Sequence, residues 1–297
     1  MDIPNIKTIT QCNRLFGTPT LHPLVSVIHP TCSDLLSEAM RLGFYTLWLK
    51  EKTQRNTSAF GWKECDFADG TLVALKPGTV AGQELWEDNY SQTRNLLLCF
   101  HSSLLEWTKK DCEEYTFLNY RENEALHLSL RERTTLEHEI NALEEELNWG
   151  IDEYSYPIIG GRICLLLDYI TRFYKRQFIT RHDTGQEWVC QAEKWLDTFF
   201  KSGKAQHTAL PTSETFAKHM NCSPAYFNDL MKCETGKDVN HYVYLKRISL
   251  AETMLKKGER STEDIAVQLG FPTSDDFCTL FKKLGRKNIL LLHQSIN

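Results

Sequence analysis

Between Leu210 and Leu284 one pattern of apolar residues occurs twice, and it restricts this stretch to short helices broken at fixed points. The first copy, Ser213 to Gly236, reads SETFAKHMNCSPAYFNDLMKCETG; the second, Ser261 to Gly285, reads STEDIAVQLGFPTSDDFCTLFKKLG. In each, a serine is placed to cap a helix whose apolar residues keep to helical spacing: Phe216, Ala217 and Met220, then Ile265, Ala266 and Leu269. Breaks follow at Asn221-Cys222 and at Gly270-Phe271-Pro272. Phe227, Leu230 and Met231 then line a second helix in the first copy, as Phe277, Leu280 and Phe281 do in the second. Ser223 before Pro224 is an N-cap hydroxyl followed by a residue that needs no amide donor. Ser261 with Asp264 three residues on is a capping box with Asp in place of Glu.

Helix, tight turn and helix make the helix-turn-helix unit, whose second helix can lie in the DNA major groove. One copy alone is equally an ordinary helical hairpin; two at this spacing favour the DNA-binding unit. The matching residues are Ala217, Ser223-Pro224-x-Tyr226-Phe227, Glu234-Thr235-Gly236, Ile265-Ala266-x-x-Leu269-Gly270-Phe271, and Phe277-x-x-x-Phe281-Lys282-Lys283 with Gly285. In these the chain resembles the AraC/XylS family of bacterial transcription regulators, over about a third of its length. The resemblance implies a two-motif DNA-binding domain in which a long helix, here about Val239 to Lys257, joins the units.

The 297 residues allow two domains, each able to bury its own core. The net charge of −5 is unevenly divided. From Trp188 onward there are 15 Lys+Arg against 12 Asp+Glu, a net +3, while the preceding part carries 19 against 27, a net −8. This asymmetry fits a mildly basic nucleic-acid module attached to an acidic partner domain. No window approaches the ~18 apolar residues of a transmembrane helix. The opening MDIPNIKTIT lacks the basic and apolar segments of a signal peptide, so a cytoplasmic protein is expected. The ten cysteines are scattered without a C-x-x-C pair, as reduced thiols are, rather than a disulfide frame or zinc site.

Short strand-like runs fill Thr20 to His101: 24–28, 43–49, 72–75 and 96–100, separated by turn formers at 69–70, 76–78 and 87–89. They suggest a small antiparallel barrel or sandwich. The phrase Phe67 to Gly78 resembles the turn–strand–Pro-Gly segment of the cupin-like sensor domains of this family. His22, His29 and His101 stand apart without an H-x-H pair, so they read as separate barrel or loop histidines and no metal or cofactor is expected. Tyr45, Trp48 and Trp62 are candidates either for a ligand pocket or for the core.

From Ser103 the period turns helical. Leu136, Ile140, Leu143 and Leu147 mark a helix within Leu130–Trp149, and Ile159, Ile163, Leu166, Leu167, Ile170, Phe173 and Tyr174 mark another from about Ser155 to Ile179. By the family resemblance, Glu137–Leu147 and Ile163–Tyr174 are dimer candidates; equally, both stripes can pack on the barrel. Arg172, Lys175, Arg176 and Arg181 form a basic cluster suited to a helix C-terminus or, less directly, to phosphate. The polar stretch 182–186 is the best linker candidate, which divides the chain into 1–182 and 183–297. The expected fold class is α+β: a small cupin-like β-barrel with following helices, then an all-α domain with two helix-turn-helix motifs.

Recognition helices are expected at about 224–233 and 274–283. Ser223, Ala225, Tyr226, Asn228 and Lys232 in the first, and Thr273, Ser274, Asp275, Thr279, Lys282 and Lys283 in the second, are the candidate DNA contacts. Asn228 suits adenine, Tyr226 a phosphate or thymine methyl. Two features depart from the family. Asp275 and Asp276 stand where polar or aromatic residues are usual, and the tail 285–293 lacks the usual Pro and Tyr-Arg pair. The resemblance implies double-stranded DNA as partner, with a small-molecule effector, RNA polymerase and a second copy of the chain as further partners. The two departures keep open an alternative, a regulatory protein-interaction factor with a degenerate helix-turn-helix domain. No nucleophile–base pair or phosphate loop supports an enzyme; Gly160-Gly161 lies in a helical stretch without a G-x-G-x-x-G or Walker pattern.

Overall fold

A computed structural model of the chain describes residues 3–30, 39–51, 67–82, 95–258 and 260–283, with side chains through Thr279. Trp62, the 87–89 turn and the altered tail therefore lie outside the described residues. The chain divides into two compact units, Met1–Arg181 and His182–Asn297.

In the first unit the strands are β1 (Asn5–Ile6), β2 (Val25–Ile28), β3 (Met40–Leu42), β4 (Tyr45–Glu51), β5 (Gly70–Leu75), β6 (Val80–Ala81), β7 (Leu96–Phe100) and β8 (Leu126–Leu128). Helices α1 (Ile9–Leu15), α2 (Leu130–Leu147) and α3 (Ser155–Thr180) accompany them. Five strands pair antiparallel in the order β2-β7-β4-β5-β8, and β1-β3-β6 form a second sheet. The four runs anticipated from sequence are four neighbours in the larger sheet.

That sheet is buried on both faces. Leu47, Leu49, Leu72, Ala74, Leu96 and Leu98 point to the side covered by α2 and α3, where they join Leu136, Ile140, Ile163 and Leu167 in one core. The alternate residues Trp48, Val73, Leu75, Leu97 and Cys99 pack instead with α1 and the smaller sheet, through Ile9, Cys12, Met40, Leu42 and Ala81. Burial on both sides explains why β7 reads as the unbroken apolar run LLLCF rather than as an alternating strand. Among the described residues the strands form two separate sheets, neither closed on itself, within an α+β unit. Tyr45 and Trp48 serve this packing: Trp48 is fully buried and Tyr45 stacks on Phe100.

The apolar stripes of α2 and α3 are likewise consumed inside the unit, since Leu136, Ile140, Leu143, Leu147, Ile163, Leu167 and Tyr174 are all buried. They pack on the sheet. Gly160 lets α3 approach the 3-10 turn Ser102–Thr108; a Cβ there would lie 2.5 Å from the Leu104 carbonyl oxygen. The basic cluster is divided. Arg176 donates to Glu132 and to the His127 carbonyl, and Arg181 donates to His127 Nδ1, so these two hold β8, while Arg172 and Lys175 are exposed. His22, His29 and His101 are engaged separately: buried, paired with Glu144, and bonded to Ser103.

The second unit comprises α4 (His182–Lys201), α5 (Ser213–Met220), α6 (Pro224–Thr235), α7 (Val239–Lys257), α8 (Thr262–Gln268) and α9 (Ser274–Lys283). Here the expected linker is corrected: 182–186 is the first turn of α4. Its polarity has a local cause. His182 Nδ1 lies 2.8 Å from Glu234 Oε2, Gln186 donates to the same carboxylate at 2.7 Å, and Gly185 leaves room for it. A carboxylate at a helix N-terminus is also favoured by the free amides there. No helix among the described residues is long and apolar enough to cross a membrane.

Candidate nucleic-acid interface

The first helix-turn-helix begins at Thr212, which with Thr215 closes the capping box of α5, one residue earlier than the serine expected from sequence. Asn221 makes the turn in the left-handed region (φ 54°), where Asn is tolerated among non-glycine residues. Ser223 caps α6 by accepting the Tyr226 amide at 3.1 Å, with Pro224 at the first helical position. Phe227 stacks on Phe216 at 5.3 Å and faces Trp188 of α4 at 6.5 Å, so α5 and α6 share one aromatic core with α4.

This packing corrects the contact set expected for α6. Tyr226 is 3% exposed and its ring meets Trp188 edge-on, so it does not face outward. Asn228 is half-buried, and its Oδ1 accepts the Val239 amide at 3.1 Å. That amide is one of the unpaired donors at the start of α7, so Asn228 ties α6 to α7. Ser223 is buried as a cap. Of the remaining positions Ala225 and Asp229 are half-buried, while Lys232 is exposed and lies 3.9 Å from Asp229.

In the second motif Ser261 caps α8, accepting the Asp264 amide at 3.1 Å, as the sequence indicates. Gly270 turns the chain at φ 72°, and a Cβ on it would lie 2.4 Å from the Ala205 carbonyl oxygen. Both facts require glycine there. Thr273 starts α9: its hydroxyl accepts the Asp276 amide at 3.0 Å and donates to Asp276 Oδ2 at 2.8 Å. Asp276 is thus engaged as the acidic partner of the cap, at the helix end where a carboxylate is favoured. Asp275 and Thr279 are exposed, Ser274 is half-buried, and Lys282 and Lys283 lie in the last turn of α9, their side chains outside the described set.

Sequence reasoning missed three positions that arrange this unit: Asn228 as an internal tie, Glu234 as the ligand of the α4 N-terminus, and Arg247. Arg247 occupies a stripe with Val239, Val243, Ala251 and Leu255 at steps of four, all buried on α7. A cation inside an apolar stripe is a legible signal that it has a partner within the fold.

Residues 216–286 match a family model described as a helix-turn-helix domain. The chain is 29% identical over 103 residues to the HTH-type transcriptional activator RhaR of Klebsiella pneumoniae, covering 35% of this chain and 37% of that protein. It is 29% identical over 83 residues to RhaR of Enterobacter sp. strain 638, covering 28% of this chain and 29% of that one. The chain thus spans about a third of the length of the curated relatives it matches. Among solved structures, ToxT of Vibrio cholerae is similar at 13% identity and a TM-score of 0.27, over 87% of this chain and 92% of that one. The C-terminal unit thus holds a helix-turn-helix domain, and the chain is similar in part to HTH-type transcriptional activators.

Proposed function

We propose that the chain is a sequence-specific, DNA-binding transcription regulator in which α6 and α9 enter major-groove segments of one duplex and the N-terminal unit modulates them. The observation that carries this reading is the pair of capped helix-turn-helix units joined by the 19-residue helix α7. Two such helices on one face of B-DNA sit about one helical turn, ~34 Å, apart. Lys232, Lys282 and Lys283 are assigned to phosphates, and Ala225, Thr273, Ser274, Asp275 and Thr279 to the base-facing side. Ser223, Tyr226 and Asn228 hold α6 in place from behind.

The first unit is assigned as a cupin-like sensor for a small-molecule effector. RNA polymerase and a second copy of the chain are the protein partners, and the cytoplasm the compartment. No catalytic role is assigned.

Selection from a random DNA pool at two salt concentrations tests this. Enrichment of a bipartite site, with affinity falling steeply as salt rises, is the expected result. The exposed carboxylate of Asp275 at the start of α9 favours a second reading, a regulator that works through protein contacts. Absence of any enriched site would transfer the assignment to it.

A further inference from the structure

Helix α9 is joined to α8 by the short turn 269–273, and that turn is gripped by α7. Arg247 Nε donates to the Leu269 carbonyl at 2.7 Å, and the guanidinium carbon lies 3.4 Å from the centre of the Phe271 ring. The Phe271 ring in turn meets Phe277, the fully buried residue of α9, at 5.0 Å. Leu269 is the C-cap of α8, where carbonyl oxygens lack helical partners and carry the negative end of the helix dipole. A planar cation satisfies this carbonyl with its edge and the ring with its face, which an ammonium does not do. From the other side Gly270 abuts the Ala205 carbonyl, so the turn is held at two points.

The arrangement is costly as a packing element. Arg247 is 7% exposed, its Nη2 has no hydrogen-bond partner among the described residues, and burial pushes its pKa down to about 10. A flexible apolar side chain of similar length would fill the site with less desolvation. What it would lack is direction. The first motif does not depend on this contact, since α6 is tied by Glu234 to α4 and by Asn228 to α7.

We propose that Arg247 is a positioning residue for the second recognition helix: it orients the α8–α9 turn on α7 and so sets the spacing at which α6 and α9 meet DNA. This rests on the DNA-binding reading above. The test uses the full chain with R247M, R247K and F271L, the last removing the ring while leaving the carbonyl bond. Footprints are taken on the selected bipartite operator and on operators with the second block moved by one and two base pairs.

Wild type should reject the shifted operators. R247M should keep protection of the first block and lose protection of the second by about 10- to 100-fold, the factor that a charge-assisted hydrogen bond carries. Its preference among spacings should flatten, while its thermal midpoint stays at or above that of wild type. R247K and F271L should fall between, and they carry the test should R247M not fold. Equal loss of both blocks, or an unchanged spacing preference in all three variants, overturns the proposal. If wild type selects no bipartite site, the DNA-binding reading fails and hydrogen exchange decides on Arg247 alone. Faster exchange in 262–279 with 213–235 unchanged then supports the positioning role, and unchanged exchange in 262–279 refutes it.

Discussion

Replacing each of the adjacent glycines of α3 by alanine should move stability in opposite directions. Intrinsic propensity treats them alike: Ala in place of Gly inside a helix is favourable by about 1 kcal/mol. Their surroundings differ. At Gly161 a Cβ meets nothing within 4 Å, so Gly161→Ala should realise that gain nearly in full. At Gly160 the new carbon would stand 2.5 Å from the Leu104 carbonyl oxygen and 3.1 Å from Thr108 Cγ2, and the first of these is backbone that cannot rotate away. Since such contacts essentially never fall below 3.0 Å, α3 must back off from the 102–108 turn. Overpacking of this kind costs about 1–3 kcal/mol, which exceeds the propensity gain. Gly160→Ala should therefore be destabilising by up to about 2 kcal/mol net. The two variants should differ by about 1–3 kcal/mol, on the order of 1 M in urea midpoint at ordinary denaturant sensitivity. Urea titration with hydrogen exchange read on the 155–180 peptide isolates this unit from the other. Stabilisation by both substitutions would refute the close approach of α3 to the 102–108 turn.

Other outcomes follow from single contacts. His22 is buried, its Nδ1 accepts the Leu24 amide at 3.2 Å, and burial pushes its pKa below the usual 6.5. The unfolded chain therefore takes up a proton on this residue before the folded one does. Stability of the first unit should be full above about pH 6.5 and decline as pH falls toward the folded pKa. His22→Gln should reduce that slope in urea midpoints measured from pH 7.5 to 5; an identical slope would exclude His22 as its source. Asp276→Ala should destabilise α9 by about 0.5–1 kcal/mol, seen as faster exchange in 274–279, because it removes a cap partner. A large gain in DNA affinity instead would show that its charge acts on the groove. Lys232→Ala should weaken binding about equally on all sequences and reduce the salt slope by about 1; a change confined to one base position would make Lys232 a base reader.

Where local physics decided the structure, the residues announced it. The caps at Ser223 and Ser261 stand where the hydroxyls precede apolar periodicity, and helix α7 spans Val239–Lys257 as the family resemblance implies. The four longer strands were legible because each is a short apolar run between turn formers. Strands β1, β6 and β8, two or three residues each, have too little pattern to show, and they exist only through pairing with distant partners. The stretch 182–186 misled because its polar residues look solvated, whereas two of them, His182 and Gln186, bond Glu234 far along the chain and Gly185 leaves room for it. Tyr226 and Asn228 misled in the same way. A helical wheel places them beside Ala225 and Lys232, and only the positions of Trp188 and of the Val239 amide turn them inward.

These inward turns bear on how the first motif discriminates sequence. With Tyr226 in the core and the Asn228 carbonyl oxygen taken by a main-chain amide, neither offers its whole polar edge at the start of α6. What remains is a half-buried methyl group at Ala225 and an exposed cation at Lys232, 3.9 Å from the largely covered Asp229 carboxylate. A methyl group can meet thymine, and a lysine near an aspartate is better suited to phosphate than to a bidentate base contact. On the DNA-binding reading, α6 then supplies position more than sequence, and discrimination depends on where α9 falls relative to it. The contact that decides this is the one from Arg247 to Leu269 and Phe271. A regulator built so should tolerate base changes in the first block better than a single inserted base pair between the blocks. An operator whose first block is as strictly specified as its spacing would count against that ordering.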